Sequence, residues 1–238
     1  HLEYEQTALP EPLSSVTALA MLEETLLLGG VSETGLALVR LTPEGRSEEL
    51  PLPGSTEYLY ALCPDGAGGA WLLCGSLPKG YFDAFGNFRF LSQEPEGKLA
   101  LAHYDAAFAL QEIVLLQTLY TDRFFQLRRL DGGFCMMSAS LLVRLDETGA
   151  ETARQSLDAK DGWSFAAMQE TDGVLYALTR NFYGIELPEL RKFTPDTLSA
   201  LESDVCTSEI TGLGLRADGR LLMGNSEELF AYDTGSGE

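Results

Sequence analysis

Five degenerate copies of a double turn signature, spaced by roughly 40 residues, constrain the fold of this chain more than any other feature. In the first half of each copy, an acidic residue, usually followed by glycine, lies between two apolar runs. These turns are Glu23-Glu24, Asp65-Gly66, Asp131-Gly132, Asp172-Gly173 and Asp218-Gly219. In the second half, an apolar residue precedes a polar turn. These turns are Leu41-Thr42-Pro43, Tyr104-Asp105, Leu145-Asp146, Phe193-Thr194-Pro195 and Tyr232-Asp233. Two tight turns per copy predict three or four short antiparallel strands in each repeat.

Repeats of this kind are typical of β-propeller blades, in which each four-stranded sheet packs on its neighbours. We therefore predict an all-β fold built from four-stranded antiparallel blades. The repeats cover about 13–53, 55–117, 118–157, 158–203 and 204–238, and we expect residues 1–238 to form a single domain.

The number of blades depends on the fifth repeat, in which no fourth strand precedes the end of the sequence. The N-terminal segment Leu2–Leu9 has no partner of its own, so we predict that it closes the last of five blades and covers its edge. The alternative is a fragment of a seven- or eight-bladed propeller. Because the sequence begins at His1 and not at Met, we expect a trimmed product or an excised domain.

Composition excludes several classes of function. The net charge of −20 disfavours nucleic-acid binding, and no apolar run approaches the length of a membrane span of about 20 residues. The spacing of the four cysteines suggests no metal site, and the only histidines are His1 and His103, so we expect no metal and no cofactor. A turn centred near Ala67 would place Cys63 opposite Trp71 and not opposite Cys74, so we predict buried thiols and no bridge between these two cysteines.

Aromatic loops are the candidate binding elements. The longest, Pro78–Gly97, is an insertion in the second repeat, and loops of more than about 12–15 residues are usually functional or disordered. Either it is a β-hairpin extension that packs its aromatic side chains, or it is a lid over a ligand, or it is an oligomer contact. Its candidate ligand-binding residues are Tyr81, Phe82, Asp83, Phe85, Phe88 and Arg89.

The corresponding loop of the fourth repeat, Arg180–Glu189, is also aromatic and polar, and the loops between repeats add further candidates. In a propeller these loops share one face, so we predict that their side chains converge on the mouth of the central channel. The candidates from these loops are Tyr120, Asp122, Arg123, Asp161, Trp163, Arg180, Asn181 and Tyr183. Asp158-Ala159-Lys160-Asp161-Gly162 lacks the ligands of a calcium loop and is predicted to be a solvated turn.

The repeats resemble the β-propeller superfamily, with turns similar to those of NHL, kelch and quinoprotein-type repeats, although no family's full motif is present. The chain is also similar to the N-terminal propeller regions that precede a solute-binding domain in exported bacterial lipoproteins. This resemblance implies an extracytoplasmic or cell-surface role, with a neighbouring domain of a longer parent chain as one expected partner.

We therefore predict a non-catalytic module that binds or senses a carbohydrate or peptide ligand. One alternative is a glycoside hydrolase or lyase, which needs two carboxylates beside the sugar. The innermost strands carry no internal acid, and the nearest acids are Glu57, Asp122, Asp161 and Glu209. A protein-interaction scaffold is the third hypothesis.

Overall fold

The computed structural model describes the chain in segments. They are residues 9–54, 56–76, 98–120, 122–157, 161–181, 183–184, 186–206, 208–216, 218–225 and 228–232, together with the backbone of 80–82 and 88–90. Contacts divide the chain into two compact units, His1–Thr121 and Asp122–Glu238. Five antiparallel sheets follow one another along the chain, and the fold is an all-β, five-bladed β-propeller. The prediction of fold class is confirmed.

The first unit contains blades one and two. The strands of blade one are β1 (Leu13–Leu22), β2 (Thr25–Ser32), β3 (Gly35–Leu41) and β4 (Ser47–Leu50), paired in chain order. Blade two consists of β5 (Tyr58–Pro64), β6 (Ala70–Gly75), β9 (Leu99–Tyr104) and β10 (Leu110–Leu115). A separate hairpin of β7 (Gly80–Phe82) and β8 (Phe88–Phe90) is inserted between β6 and β9.

The second unit contains blades three, four and five. Blade three consists of β11 (Gln126–Leu130), β12 (Gly133–Met137), β13 (Leu141–Asp146) and β14 (Glu151–Ser156). Blade four consists of β15 (Trp163–Thr171), β16 (Val174–Asn181), β17 (Glu189–Phe193) and β18 (Asp204–Val205). The described strands of blade five are β19 (Gly212–Leu215), β20 (Leu221–Gly224) and β21 (Leu229–Tyr232). The predicted closing strand Leu2–Leu9 lies, except for Leu9, outside the described residues.

The recurrent aspartates form the turns that the sequence predicted for them. Oδ1 of Asp105 accepts hydrogen bonds from the backbone N–H groups of Ala107 and Ala109, at 2.9 and 3.0 Å. Asp146 accepts from the residues two and four positions ahead in the same way, at 2.8 and 3.0 Å. A short carboxylate that satisfies two turn N–H groups explains why aspartate recurs at this position. Asp233, the third predicted member of this set, lies outside the described residues.

Each unit is held together by apolar residues shared between blades. In the first unit, one cluster joins Leu27 and Leu38 of blade one to Leu59 and Leu72 of blade two, and all four leucines are fully buried. Fully burying such a side chain stabilises the fold by about 1.5–3 kcal/mol relative to leaving it exposed. In the second unit, one cluster connects blades three and four, and another connects blades four and five.

The cysteine prediction is confirmed by the register of blade two. Cys63 pairs with Trp71, and Cys74 pairs with Leu59, so the two thiols do not face each other. All four cysteines are buried thiols.

The sequence pattern of the fourth repeat predicts its last strand at Leu198–Glu202, but the structure forms this strand further along the chain. That stretch makes only an isolated bridge between Phe193 and Ala200, and β18 follows at Asp204–Val205. In the turn before this bridge, Leu198 adopts a left-handed φ of 51°, and its side chain is fully buried in the core. Between the Phe193–Ala200 bridge and the Leu190–Asp204 pair, the outer chain has one residue more than β17, and this extra residue interrupts the ladder.

Candidate functional site

The sequence-predicted residues that the structure brings together lie at one end of blade four. Strands β15 and β16 pair so that Trp163 is opposite Asn181 and Ser164 is opposite Arg180. An extra residue between Phe165 and Ala167 shifts the register of β15 at this end. Such a bulge twists the strand locally and redirects its side chains.

Asn181 organises the turn that leaves β16. Its Nδ2 donates to the backbone oxygen of Asp161 at 3.4 Å, and its Oδ1 accepts from the backbone N–H of Tyr183 at 2.9 Å. The backbone oxygen of Asn181 also accepts from the N–H of Gly184 at 3.1 Å. Since Asn181 is buried, it serves to fix the loop, and Tyr183 is the side chain that the loop presents.

Tyr183 lies on the surface with its ring against Gly162. The side chain is 70% exposed, although a Cβ atom at Gly162 would lie only 2.5 Å from Cε2 of the tyrosine ring. Gly162 has φ of 74°, a left-handed conformation that glycine adopts at little cost. Because residue 162 has no side chain, the Tyr183 ring packs directly against its backbone.

A cavity of about 440 Å³ opens beside this loop, and we call it the blade-four cavity. Blades three and five each contribute one residue to it, and blade four contributes the rest. Its lining residues are Ala139, Ser164, Phe165, Ala166, Arg180, Asn181 and Thr211. The lining is mostly neutral, with one guanidinium group and two hydroxyl groups.

The blade-three side of this cavity is held in place by Asp122. Its Oδ1 accepts hydrogen bonds from the hydroxyls of Ser138 and Ser140, at 3.2 and 2.6 Å, and so fixes the β12–β13 turn. Within that turn, the backbone oxygen of Ala139 accepts from the N–H of Phe165 at 2.8 Å. Asp122 thus positions a wall of the cavity.

Trp163 is engaged by its own blade. The guanidinium of Arg191 lies 5.6 Å from the centre of the Trp163 ring, and its Nε donates to Glu189 at 3.0 Å. Cation–π contact of this kind stabilises the indole in one orientation. Trp163 is therefore a partly covered neighbour of the loop, whereas Tyr183 is its exposed aromatic group.

The remaining predicted site residues have other surroundings. Tyr120 is buried at 3% exposure in the first unit, and Arg123 is exposed in the second. Asp83 and Phe85 lie outside the described residues, and Tyr81, Phe82, Phe88 and Arg89 are described only as backbone of the β7–β8 hairpin. The role of the Pro78–Gly97 insertion stays a prediction.

Sequence reasoning missed Gly162, Ser164 and Thr211. Gly162 follows Asp161 and was interpreted only as part of a solvated turn. Its left-handed φ and its contact with Tyr183 depend on the pairing of β15 with β16, which no local pattern specifies.

Away from the blade-four cavity, a polar cluster of the second unit connects blades four and five. Lys192 Nζ lies 2.6 Å from Oδ2 of Asp204, and the hydroxyl of Tyr232 donates to the same carboxylate. Burial, the largest single effect, disfavours the charge on Lys192, but its hydrogen bonds to Asp204 and Tyr232 outweigh burial and raise its pKa. The pKa of Asp204 is lowered, because the same partners outweigh its own burial. Because Lys192, Asp204 and Tyr232 bond to one another, we interpret this cluster as a structural link between blades four and five.

The first unit has a larger cavity of about 930 Å³ at the Glu23-Glu24 and Asp65-Gly66 turns. Its two arginines are paired with glutamates of blade one, Arg40 with Glu48 and Arg46 with Glu44, each at 3.6 Å. We favour the smaller blade-four cavity as the site for two reasons. Its lining residue Asn181 anchors the loop that carries the exposed Tyr183, and its arginine lies 4.0 Å from its carboxylate partner Glu209. Among the described residues, no group of three or more His, Cys, Asp or Glu side chains could hold a metal ion.

Comparison with solved structures agrees with the β-propeller fold. The N-terminal domain of BBS1, solved with ARL6, is 16% identical with a TM-score of 0.58, over 96% of this chain and 67% of that chain. The propeller of Cps50 (Swd1) from Myceliophteria thermophila is 17% identical with a TM-score of 0.56, over 93% of this chain and 67% of the other.

A third similar structure is the extracellular domain of BT4673 from B. thetaiotaomicron. It is 15% identical with a TM-score of 0.54, and the match covers 96% of this chain but only 28% of that chain. No protein-family model and no curated protein matches the sequence. At these identities the likeness concerns the fold alone.

Proposed function

We propose that this propeller is a non-catalytic, extracytoplasmic binding or sensing module that recognises a carbohydrate or peptide ligand at the blade-four cavity. The observation that carries the proposal is the exposed Tyr183 ring, held by Gly162 and Asn181 beside a cavity of about 440 Å³. Concave sites with an aromatic wall and a few polar groups are the usual form of ligand sites.

The ordered loop that carries Tyr183 favours ligand binding. An exposed aromatic ring can present a flat apolar face to a sugar or peptide group. Because Gly162 and the Asn181 hydrogen bonds already order the loop, a ligand would not have to immobilise it. Such preorganisation strengthens binding by reducing the entropy lost on association.

The proposed location and role are supported by one structural neighbour. The similar domain of BT4673 is extracellular. The described part of the present chain contains no helix long and apolar enough to cross a membrane. A binding module outside the cytoplasm is the role that this comparison supports best.

The test is a calorimetric titration of the wild-type protein with a panel of neutral and acidic oligosaccharides and short peptides. Tyr183→Ala should weaken binding of the active ligand by about two- to twelvefold, corresponding to the loss of an aromatic contact of about 0.5–1.5 kcal/mol. The matched control is Phe230→Ala, since Phe230 is also an exposed aromatic residue, at 38%, but lies on β21 outside the cavity lining. Equal affinity of Tyr183→Ala and wild type for every bound ligand would reject this site.

A protein-interaction scaffold is the second candidate. It is supported by the inserted β7–β8 hairpin and by the BBS1 propeller, which was solved with the protein ARL6. Replacing Tyr81 and Phe85 with alanine distinguishes the two functions. Loss of a protein partner with intact oligosaccharide binding would favour the scaffold.

A further inference from the structure

Among the described residues that line the blade-four cavity, Arg180 is the only charged one. It lies near the end of β16, opposite Ser164, and its side chain is 43% exposed. A guanidinium group at the edge of a partly enclosed cavity is suited to a carboxylate, because its fork of N–H donors matches two carboxylate oxygens.

The charge of Arg180 is only loosely compensated within the protein. Its ion-pair partner is Glu209, with Nη2 and Oε2 4.0 Å apart, and the glutamate side chain is 65% exposed. Arginine ion pairs elsewhere in this unit are closer, such as Arg129–Glu147 at 2.7 Å and Arg154–Glu151 at 2.8 Å. An exposed pair at this distance contributes little, so a ligand carboxylate could replace Glu209 at small cost.

We propose that Arg180 makes the blade-four cavity selective for ligands that carry a carboxylate. This inference rests on the proposed function, because it assigns a ligand chemistry to the same site. The two hydroxyl groups of the lining, on Ser164 and Thr211, are suited to polar groups adjacent to that carboxylate. A uronic-acid sugar and an acidic peptide share this chemistry, and the experiment separates the two sources.

The probes are two matched pairs. The first is trigalacturonate and its carboxyl-reduced, neutral counterpart, and the second is an aspartate-containing tetrapeptide and its asparagine analogue. The quantity measured by calorimetry is the ratio of the dissociation constants within each pair. For wild type we expect the carboxylate member of one pair to bind about tenfold more tightly, as for a charge-assisted hydrogen bond.

Three variants test the assignment to Arg180. Arg180→Gln should reduce the ratio to near one, and Glu209→Gln should raise it by about twofold, because the competing carboxylate is gone. The matched control is Arg216→Gln. The lining residue Thr211 precedes β19, whereas Arg216 follows the strand and does not line the cavity. Arg216 pairs with Asp218 at 3.4 Å. This variant removes the same charge and should leave the ratio unchanged.

The outcomes distinguish this inference from the function on which it rests. If a neutral oligosaccharide or peptide binds in a Tyr183-dependent manner and its carboxylate counterpart binds no better, the selectivity is refuted and the binding function stands. If the ratio persists in Arg180→Gln, the assignment to Arg180 is overturned. If nothing in either set or in the wider panel binds, both proposals fail. Preference for the acidic member of the peptide pair alone supports the carboxylate chemistry and identifies a peptide ligand.

Discussion

Replacement of Gly162 by alanine tests whether the position of the Tyr183 ring matters for ligand binding, apart from any loss of stability in the turn. Gly162 has φ of 74°, and an alanine in the left-handed region costs roughly 1–2 kcal/mol. The added Cβ would also lie 2.5 Å from Cε2 and 2.6 Å from Cδ2 of the Tyr183 ring, so the ring would have to move. Because that ring is 70% exposed, moving it should lower stability by less than about 1 kcal/mol.

The same blade provides a matched control in Gly173. Its φ is 72°, and a Cβ atom there would have nothing within 4 Å. Gly173→Ala should therefore lower the free energy of unfolding by about the same 1–2 kcal/mol without disturbing Tyr183. The two variants differ only in the displacement of the ring.

The assay combines urea unfolding with ligand titration. We expect similar unfolding free energies for the two variants but a dissociation constant raised by about two- to twelvefold in Gly162→Ala alone. The reasoning is refuted if Gly173→Ala weakens binding as much as Gly162→Ala does, or if Gly162→Ala binds like wild type.

Three further predictions concern stability. Tyr104 is fully buried and donates to the backbone oxygen of Pro51 at 2.7 Å, so Tyr104→Phe should lower the free energy of unfolding by about 1–2 kcal/mol in urea denaturation. For Asp65, burial is the largest effect and opposes ionisation, but hydrogen bonds from His103 and two backbone N–H groups outweigh it and lower the pKa. The stability from Asp65 should therefore be complete above its usual pKa of 3.8 and decline as the pH falls through the lowered value, and urea midpoints at pH 5 and pH 3 should differ less in Asp65→Asn than in wild type. Burial raises the pKa of the Cys135 thiol to about 12, so a thiol reagent at neutral pH should modify Cys135 only after unfolding, and rapid labelling of the native protein would contradict its burial.

The fold was predictable because its local signals agree with one another. Acidic turns such as Asp65-Gly66 separate apolar runs that are each long enough for one strand. The structure places β5 and β6 on the two sides of this turn. At the second turns of repeats two and three, Asp105 and Asp146 bond their own backbone, so their role depends on neighbours within four residues. Interactions this short in sequence are the ones that a local pattern can reveal.

The position of the last strand of blade four could not be predicted from such local signals. Leu198 has the apolar character of a strand residue, yet its side chain is fully buried from a left-handed backbone conformation. Whether an apolar residue belongs to a strand or to a buried turn depends on the core below it. A single sequence does not contain that information in local form.

The candidate site was predictable in part. Arg180, Asn181 and Tyr183 were selected for the composition of their loop. The structure places Arg180 and Asn181 in the lining of one cavity, and Asn181 holds the backbone of Tyr183. The division of roles among them was not predictable, because it depends on pairing across strands. Asn181 is buried and anchors the loop, whereas Tyr183 is exposed and its ring lies against Gly162. The predicted convergence of the other candidate residues on a central channel stays a prediction.

The most direct test of the central claim is the fluorescence of Trp163 during ligand titration. The chain has two tryptophans, Trp71 in the first unit and Trp163 beside the Tyr183 loop, so Trp71→Phe leaves Trp163 as the sole reporter. We predict that the ligand with the highest affinity in calorimetry changes the Trp163 emission with the same dissociation constant, and that Tyr183→Ala weakens both signals equally. A calorimetric binding signal with unchanged Trp163 emission and unaltered affinity in Tyr183→Ala would contradict the placement of the ligand site at the blade-four cavity.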